Sequence, residues 1–437
     1  MRISIFGMGY VGAVSAGCLA GQGHRVTGVD PVSAKVDLIN QGLTPIIEKD
    51  IAELIWQGVA AQRLTATVDT RQAVAASELS LVCVGTPSQL NGNLDLRYIR
   101  RVCEEIGAAL RDKDARHVVV IRSTILPGTM RGVVIPTLEE HSGKRAGSDL
   151  GVCNNPEFLR EGTAVWDFHH PPKTVIGETD PASGDLLASL YAGLDAPVFR
   201  TDIETAEMVK YADNAWHAVK IGFANEIGGF CKKVGIDSHR VMEIFCQDTK
   251  LNISANYLRP GFAFGGSCLP KDLRALTYKA RSLDLELPLL SSVLPSNESH
   301  LHRSFQMIMD KGRRRIGVLG FSFKAGTDDL RESPVVELIE RLLGKGCDLR
   351  IYDRNVNLAR LVGANRDYIL NHIPHISKLM VPTLDEALEH GETIVIGNGD
   401  PEFRSILLRL RPEQFLVDLV RIADSPKPTE RYDGIGW

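Results

Sequence analysis

The strongest constraint on the fold of this 437-residue chain is a glycine-rich segment at its amino terminus. The sequence GMGYVG at positions 7–12 follows a short apolar run, Ile3–Phe6, and opens a helical stretch. A second apolar run, Arg25–Asp30, ends in an acidic residue 18 positions after Gly12. A strand, a glycine turn, a helix and a strand that ends in an acid are typical of a dinucleotide-binding α/β unit. The sequence therefore predicts a Rossmann-type domain here.

The glycines of this segment have distinct physical roles. Gly7 permits the turn, Gly9 lets a pyrophosphate approach backbone N–H groups, and Gly12 lets the helix pack closely on the strand. Tyr10 and Val11 lie on the first helical turn, beside the same anion site. We therefore expect all five residues to contact the cofactor.

Asp30 indicates which cofactor binds, because we expect its carboxylate to bind the ribose diol of the cofactor's adenosine. A 2′-phosphate about 5 Å from this carboxylate would cost roughly 3 kcal/mol at an effective dielectric constant of about 20. Lys35 is close enough in sequence to reach the adenosine phosphate side and soften this repulsion. We nevertheless predict NAD rather than NADP.

Short apolar runs alternate with helical stretches at both ends of the chain. Near the amino end the runs predict buried parallel strands at Ile3–Phe6, Arg25–Asp30, Leu79–Gly85 and Val118–Ser123. A second set follows residue 311, at Arg315–Leu319, Leu349–Asp353, Thr393–Gly397 and Phe415–Val420. Between these sets helical periodicity dominates, with a helix over 203–234. The predicted fold class is α/β, with a Rossmann-type domain over 1–200, a helical domain over 201–302 and a Rossmann-like domain over 303–437.

Composition excludes several classes of protein. Lys and Arg number 50 against 54 Asp and Glu, and the net charge of −4 offers no basic field for nucleic acid. Eight scattered cysteines without a CxxC pair indicate reduced thiols and no zinc site. Residues 1–18 imitate a lipoprotein signal peptide, but glycines interrupt their apolar run. With no apolar window of 18 residues, we expect a cytoplasmic protein with no membrane span and no metal.

One cysteine stands in an unusual context. The segment FGGSCLPKD at 264–272 places two glycines before Cys268 and Pro270 soon after it. Because proline favours the first turn of a helix, Cys268 lies at a predicted helix N-terminus, where N–H groups and the helix dipole stabilise a thiolate. Asp272 follows about one turn later. We predict that Cys268 is a nucleophile and that the other seven cysteines are small buried apolar residues.

A nucleophilic thiol combined with a nicotinamide cofactor predicts one kind of chemistry. Interconversion of an alcohol and a carbonyl needs an acid or a base but no nucleophile. An aldehyde can instead add the thiolate, lose hydride to NAD and leave a thioester that water hydrolyses to an acid. The two features together therefore predict oxidation up to the carboxylate level.

Further motifs occur in the order found in a known family. They are CVGTP at 83–87, RST at 122–124, NPEFLREG at 155–162, KYADN at 210–214 and GFSFK at 320–324. With the glycine-rich and thiol segments, they resemble the UDP-glucose/GDP-mannose dehydrogenase family over nearly the whole chain. The resemblance implies a four-electron oxidation of a sugar C6 alcohol by two NAD. The segment YLRPGFAF at 257–264 is most similar to members that oxidise GDP-mannose, which implies GDP-mannose as the substrate and GDP-mannuronate for an uronic-acid polymer such as alginate as the product.

The resemblance assigns catalytic roles to several residues. It implies that Cys268 holds the C6 carbonyl, that Lys210 and Asn214 stabilise the oxyanion at C6, and that Asp272 orders the site and its water. Lys210 and Asn214 are four residues apart and His217 follows three later, so one helix face presents all three. The resemblance implies that His217 contacts the substrate.

It also implies roles for residues that follow predicted strands. Glu161 is expected near the sugar and the hydrolytic step, and Glu157 is a candidate base. Thr86 and Thr124 follow strand ends, where an open α/β sheet binds its ligand, so we expect contact with NAD and, for Thr124, with water. The remaining implied cofactor contacts are Lys271 and Arg331, and the remaining implied substrate contacts are Asn225, Tyr257, Arg259, Phe262, Gly265 and Lys324.

In this family the central helices join two subunits. Arg259 is the expected contact to the neighbour's diphosphate, because a planar guanidinium binds phosphate bidentately. The resemblance therefore implies a homodimer, or a dimer of dimers, with shared active sites.

Three alternatives stay open from the sequence. The substrate could be UDP-glucose or a UDP-N-acetyl-hexosamine. A non-catalytic sensor of nucleotide sugar or NAD would not need Cys268, Lys210, Asn214 and Asp272 together. A two-electron reductase of the 6-phosphogluconate or hydroxy-acid type would not need Cys268.

Overall fold

The structure is a computed structural model that describes residues 1–90, 93–254, 257, 260–266, 269–322, 325–327, 330–356, 363–422 and 429–436. The chain divides into two compact units, Met1–Ala218 and Val219–Trp437. Each unit contains one twisted sheet with helices packed against it.

The first unit is built on a largely parallel sheet. Its strands, among the described residues, are β1 (Arg2–Phe6), β2 (Arg25–Val29), β3 (Leu64–Thr67), β4 (Leu79–Val82), β5 (Val118–Ile121), β6 (Gly151–Asn154), β7 (Thr174–Glu178) and β8 (Val198–Thr201). They lie in the order β3-β2-β1-β4-β5-β6-β7-β8. Strands β6 and β7 pair antiparallel, and the other neighbours pair parallel. Parallel strands require crossover connections, which the helices of this unit supply.

Helices cover both faces of this sheet. They are α1 (Tyr10–Gly21), α2 (Ser33–Asn40), α3 (Ile51–Ala60), α4 (Thr70–Ala76), α5 (Arg97–Arg111), α6 (Ile135–Ser142), α7 (Ala164–His169) and α8 (Pro181–Ser189). Ile3 and Ile5 pack in a core with α1 and α3, whereas Phe6 packs in a second core with α5 and α6. Burial on both faces explains why the strands are apolar without polar alternation.

Four helices of the described chain follow β8, before the second sheet begins. They are α9 (Ile203–Lys233), α10 (Ser238–Phe245), α11 (Leu269–Arg281) and α12 (Pro288–Asp310). The helix predicted over 203–234 is confirmed to within one residue, and it continues through Gly228 and Gly229. The helix predicted after Cys268 is also confirmed, with Pro270 in its first turn.

The second unit contains a parallel sheet of its own. Its described strands are β9 (Arg315–Leu319), β10 (Asp348–Tyr352), β11 (Thr393–Ile396), β12 (Phe415–Asp418) and β13 (Tyr432–Gly434), in the order β10-β9-β11-β12-β13. The helices around it are α13 (Pro334–Gly344), α14 (Gly363–His372), α15 (Ile376–Leu379) and α16 (Leu384–His390). The fold class predicted from sequence, α/β at both ends with a helical middle, is confirmed.

Some expectations need correction. Strands β3, β6, β7, β8 and β13 were not predicted. Cys246 is exposed rather than buried, because it ends the short surface helix α10, whereas six other described cysteines are buried. In the described part of the chain, the helices all fall short of the length and apolar character that a bilayer span demands.

Candidate active site

The glycine turn between β1 and α1 forms an open anion cradle. Gly7 has φ +89°, a left-handed conformation that favours glycine. A Cβ on Gly12 would lie 1.8 Å from the carbonyl oxygen of Gly7, so close packing of helix on strand requires glycine there. A Cβ on Gly9 would meet no atom within 4 Å among the described residues. The free N–H groups at the start of α1 therefore face open space that fits a pyrophosphate.

Asp30 follows β2 at the edge of this cradle and is 4% exposed. Its carboxylate accepts hydrogen bonds from the backbone N–H groups of Met8, at 2.8 Å, and Val32, at 3.0 Å. Lys35, which we expected on the adenosine phosphate side, forms an ion pair with Asp30 at 3.2 Å. Asp30 thus stabilises the glycine turn and lies where the ribose diol of the cofactor would bind. These residues fit NAD.

Two predicted cofactor residues meet at the carboxyl ends of β4 and β5. The hydroxyl of Thr86 donates to the carbonyl of Thr124 at 2.8 Å. On the first turn of α1, the Tyr10 hydroxyl donates to the carboxylate of Glu48. The backbone N–H of Gly162 also donates to Glu48, at 2.7 Å. Glu48 therefore ties the NPEFLREG segment to the cofactor turn.

A buried arginine fixes the beginning of the NPEFLREG segment. Arg122, which follows β5, donates to the side-chain oxygen of Asn155 at 2.6 Å and to the hydroxyl of Tyr191 at 3.0 Å. Further along, the carboxylate of Asp167 accepts from the backbone and guanidinium of Arg160, at 2.9 and 2.6 Å. Polar contacts at both ends thus hold this loop in one shape.

The loop and helix α9 bring two predicted catalytic residues together. The Lys210 ammonium lies 3.1 Å from the Glu157 carboxylate, and the two side chains are 10% and 12% exposed. The same ammonium lies 5.4 Å from the ring centroid of Phe158. A nearly dry ion pair of this kind supplies one strong hydrogen-bond donor and one proton acceptor.

Other predicted residues of the first unit lie in the open. Asn214 and His217 are exposed on α9, and Glu161 is exposed on the loop. The predicted helix face is therefore split, with Lys210 buried against the loop and Asn214 and His217 facing solvent.

In the second unit, contacts with Glu332 fix the chain both before and after the position of the thiol. Before it, the backbone N–H of Gly266 donates to the carbonyl of Glu332 at 3.3 Å. After it, the Glu332 carboxylate receives two hydrogen bonds from Arg274 on α11. A Cβ on Gly265 would lie 2.1 Å from the Glu332 carbonyl oxygen, so glycine is needed at this contact. Cys268 itself lies outside the described residues.

The remaining predicted residues of this unit are dispersed. Lys271 and Asp272 form an exposed ion pair at 2.9 Å near the start of α11. Tyr257 is 83% exposed. Phe262 packs against the core of the C-terminal sheet, Arg331 is half-buried and Asn225 is exposed on α9. The predicted contacts Arg259 and Lys324 fall outside the described residues.

Sequence reasoning did not assign roles to Glu48, Arg122, Tyr191 or Glu332. Arg122 and Glu332 lie inside or beside motifs that carry other predicted residues, which was the available signal. Glu48 and Tyr191 lie in ordinary sequence surroundings, and only their tertiary contacts single them out.

The buried cysteines are poor alternatives to Cys268 as a nucleophile. Burial raises the pKa of Cys18, Cys83, Cys103 and Cys153 to about 12. Because the thiolate is the reactive form, these thiols stay inert at neutral pH. No group of three or more His, Cys, Asp or Glu in the described chain is arranged to hold a metal ion.

Comparison with known proteins gives the same family for all parts of the chain. Residues 1–195, 204–299 and 317–425 match the NAD binding, central and UDP binding domains of the UDP-glucose/GDP-mannose dehydrogenase family. The chain is 56% identical to GDP-mannose 6-dehydrogenases of Pseudomonas putida and Azotobacter vinelandii, each covered over 100% of both chains. A crystal structure of a ternary complex of GDP-mannose dehydrogenase from Pseudomonas aeruginosa superimposes with a TM-score of 0.97 at 55% identity, again over 100% of both chains.

Proposed function

The chain belongs to the UDP-glucose/GDP-mannose dehydrogenase family, and we propose that it oxidises the C6 alcohol of GDP-mannose to the carboxylate of GDP-mannuronate, with two NAD per sugar. The observation that carries this proposal is the end-to-end similarity to GDP-mannose 6-dehydrogenases. The product would supply an uronic-acid polymer such as alginate. Oxidation of UDP-glucose or a UDP-N-acetyl-hexosamine is the alternative that an assay must exclude.

The first unit would hold the cofactor, which accepts hydride at each oxidation when bound. The N–H groups at the start of α1, around Gly9, Tyr10 and Val11, would bind its pyrophosphate. Asp30 would accept hydrogen bonds from the ribose diol, and its ion pair engages Lys35, a cation that could otherwise meet a 2′-phosphate. Thr86 and Thr124 would line the nicotinamide side, and we also propose Lys271 and Arg331 as contacts to NAD.

Lys210 would stabilise negative charge on the sugar O6 as a preorganised donor, with Asn214 as a second donor. Its ion pair with Glu157 supports this role, because the carboxylate fixes the ammonium in a nearly dry position. When the C6 alcohol loses its proton, Glu157 would accept it through this pair.

Cys268 would act in the second half of the reaction. Its thiolate adds to the C6 aldehyde, a carbon–sulfur bond forms, and loss of hydride from C6 leaves a thioester. Water then cleaves the carbon–sulfur bond, which releases the carboxylate and returns the thiol. Asp272 would order that water, and Glu161 would accept its proton.

Substrate binding would involve His217, Asn225, Tyr257, Phe262, Gly265 and Lys324, and Arg259 from a neighbouring subunit. We propose a homodimer, or a dimer of dimers, in the cytoplasm. The central helices support this, because α9 exposes the apolar side chains of Trp216, Val219 and Ile221. We further propose that the domains run over 1–200, 201–302 and 303–437, with the middle one forming the dimer.

The test is to count NADH. GDP-mannose should yield two NADH and one acid per sugar, while UDP-glucose should yield none. Cys268→Ser should abolish acid formation and retain NAD binding, whereas Cys246→Ser, at an exposed thiol, should behave as the parent protein. One NADH per sugar would favour the two-electron reductase, and turnover restricted to UDP-sugars would reject the substrate. Binding of both ligands without turnover would favour a sensor.

A further inference from the structure

Three neighbouring strands of the first unit begin with the same pattern of residues. An arginine opens β1 and β2 and immediately precedes β3, and an aliphatic residue and a hydroxyl residue follow it each time, as RIS at 2–4, RVT at 25–27 and RLT at 63–65. Arg2 pairs in register with Arg25, and Val26 pairs with Leu64, so Arg63 continues the row. Because adjacent strands lie about 4.8 Å apart, the three arginines form a row roughly 10 Å long at the amino ends of β1, β2 and β3.

This arginine row lines a cleft. The hydroxyl residues Thr27, Thr65 and Ser77 and the amide of Gln62 line it as well. The apolar residues that line it are Ile3, Val26 and Ala76, and no aromatic ring of the described chain joins them. The cleft thus offers guanidinium, hydroxyl and amide groups but no surface on which a nucleobase would stack.

The positive charge of the row is poorly neutralised. In the residues that the structure describes, no carboxylate lies within 4 Å of Arg25 or Arg63, and Arg2 has Glu78 at 3.9 Å. Lys113 adds positive charge near the cleft, because its ammonium donates to the carbonyl of Ser77, which is one of the lining residues. Burial, together with the charge of Arg2, lowers the pKa of Lys113 to about 8. Like charges placed side by side on a sheet are destabilising, and an anion would relieve this repulsion.

We propose that this cleft binds the phosphate chain of an oligophosphate, either inorganic or carried by a nucleotide. Guanidinium groups pair bidentately with phosphate oxygens, and the row has the length to meet several phosphates at once. The site is separate from the dinucleotide cradle. Strand β2 begins at Arg25 and ends just before Asp30, so the two sites lie at opposite ends of the same strands.

Calorimetric titration of the full chain with inorganic tripolyphosphate tests the site, with saturating NAD present to occupy the cradle. We expect one tripolyphosphate per chain, and an affinity that falls roughly tenfold for each arginine removed in Arg25→Gln and Arg63→Gln. The matched control is Arg100→Gln, at an exposed arginine of α5, which should bind as the parent does. Both cleft variants should keep the parent's affinity for NAD, which shows that they fold.

The source of the phosphate chain is tested with ATP in place of tripolyphosphate. Similar affinities are expected, because the cleft has no wall for a base. The proposal is overturned if ATP binds but tripolyphosphate does not, if NAD displaces tripolyphosphate, or if the two arginine variants bind as tightly as the parent. Failure of this site would leave the proposed oxidation of GDP-mannose untouched, since that reaction uses none of these residues.

Discussion

At the scale of single residues, two glycines of the cofactor turn differ in what a methyl group would meet. At Gly12 it would collide with the carbonyl oxygen of Gly7, whereas at Gly9 it would enter open space. We therefore expect Gly12→Ala to lower the free energy of unfolding by about 1–3 kcal/mol. Gly9→Ala should keep the parent's stability within about 0.5 kcal/mol and weaken NAD binding, because its methyl group fills the space needed by the pyrophosphate.

Urea unfolding and NAD titration of the two variants measure these effects separately. Each glycine variant serves as the control for the other. Equal losses of stability in both variants would contradict the assignment of a packing role to Gly12 and a ligand role to Gly9.

A second residue-scale prediction concerns pH. His117 is buried beside Ser80, at 2.7 Å, and Lys113, at 2.9 Å. Burial, with the Lys113 charge, lowers the pKa of His117 from 6.5 to about 3. Between these values the unfolded chain binds a proton that the folded chain does not, so the free energy of unfolding falls as the pH drops from 6.5 towards 3.

Each unit of pKa difference corresponds to about 1.4 kcal/mol. His117→Gln should therefore flatten the dependence of stability on pH in this window, while lowering stability at pH 7 by about 1 kcal/mol through weaker hydrogen bonds. Chemical unfolding at pH 7, 6 and 5 gives the slope. The exposed His239→Gln should keep the parent's slope, and an unchanged slope in His117→Gln would refute the prediction.

At the scale of elements, the loop that precedes the thiol is bound by helix α12 and by the segment before α13, which also contacts α11. Asn297 of α12 exchanges two hydrogen bonds with the backbone of Phe264, both at 2.9 Å. Glu332 contacts Gly266 through its carbonyl and Arg274 of α11 through its carboxylate. Glu332 adopts φ +50°, an uncommon conformation for a residue with a side chain, which these contacts hold in place.

Loss of this contact should misplace the start of α11. We expect Arg274→Gln to lower kcat on the order of tenfold, because small displacements of a reacting group are costly. The affinity for NAD should fall far less than kcat, because the cradle around Gly9 and Asp30 is untouched, and Arg274→Lys should restore part of the rate. Steady-state kinetics and NAD titration make the measurement. Arg240→Gln, at an exposed ion pair on α10, is the matched control. A parent-like kcat in Arg274→Gln would show that the contact does not position the thiol.

The strands differ in how well the sequence alone predicts them. Strands β1, β5 and β9 are buried apolar runs, and their bounds match the prediction closely. Strands β3 and β8 escaped prediction because they are short edge strands with polar residues, LTAT and VFRT. Such segments become strands because a neighbour offers hydrogen-bonding partners, not because of their own composition.

At the scale of the whole molecule, the apolar side chains exposed on α9 make a prediction about assembly. Ile221 is 63% exposed, and Trp216 and Val219 of the same helix are also exposed. If this surface joins two copies, Ile221→Glu should convert the dimer to a monomer, because a buried unpaired carboxylate costs several kcal/mol. Acid formation should then be lost, because the proposed active sites are shared between subunits. Light scattering after size-exclusion chromatography gives the mass. Leu408→Glu, at a still more exposed apolar residue, should stay dimeric, and a dimeric Ile221→Glu would refute this interface.

The sequence by itself determined the α/β fold class, the dinucleotide cradle and the start of a helix just after Cys268. These features are local, since a glycine turn, a helix start or an apolar run is written in a few consecutive residues. The tertiary structure alone decided the Glu157–Lys210 ion pair, the support of the NPEFLREG loop by Arg122 and Glu48, and the row of Arg2, Arg25 and Arg63. Each of these joins residues more than 20 positions apart. Strand register and helix packing decide which distant side chains come into contact, and no short stretch of sequence specifies those contacts.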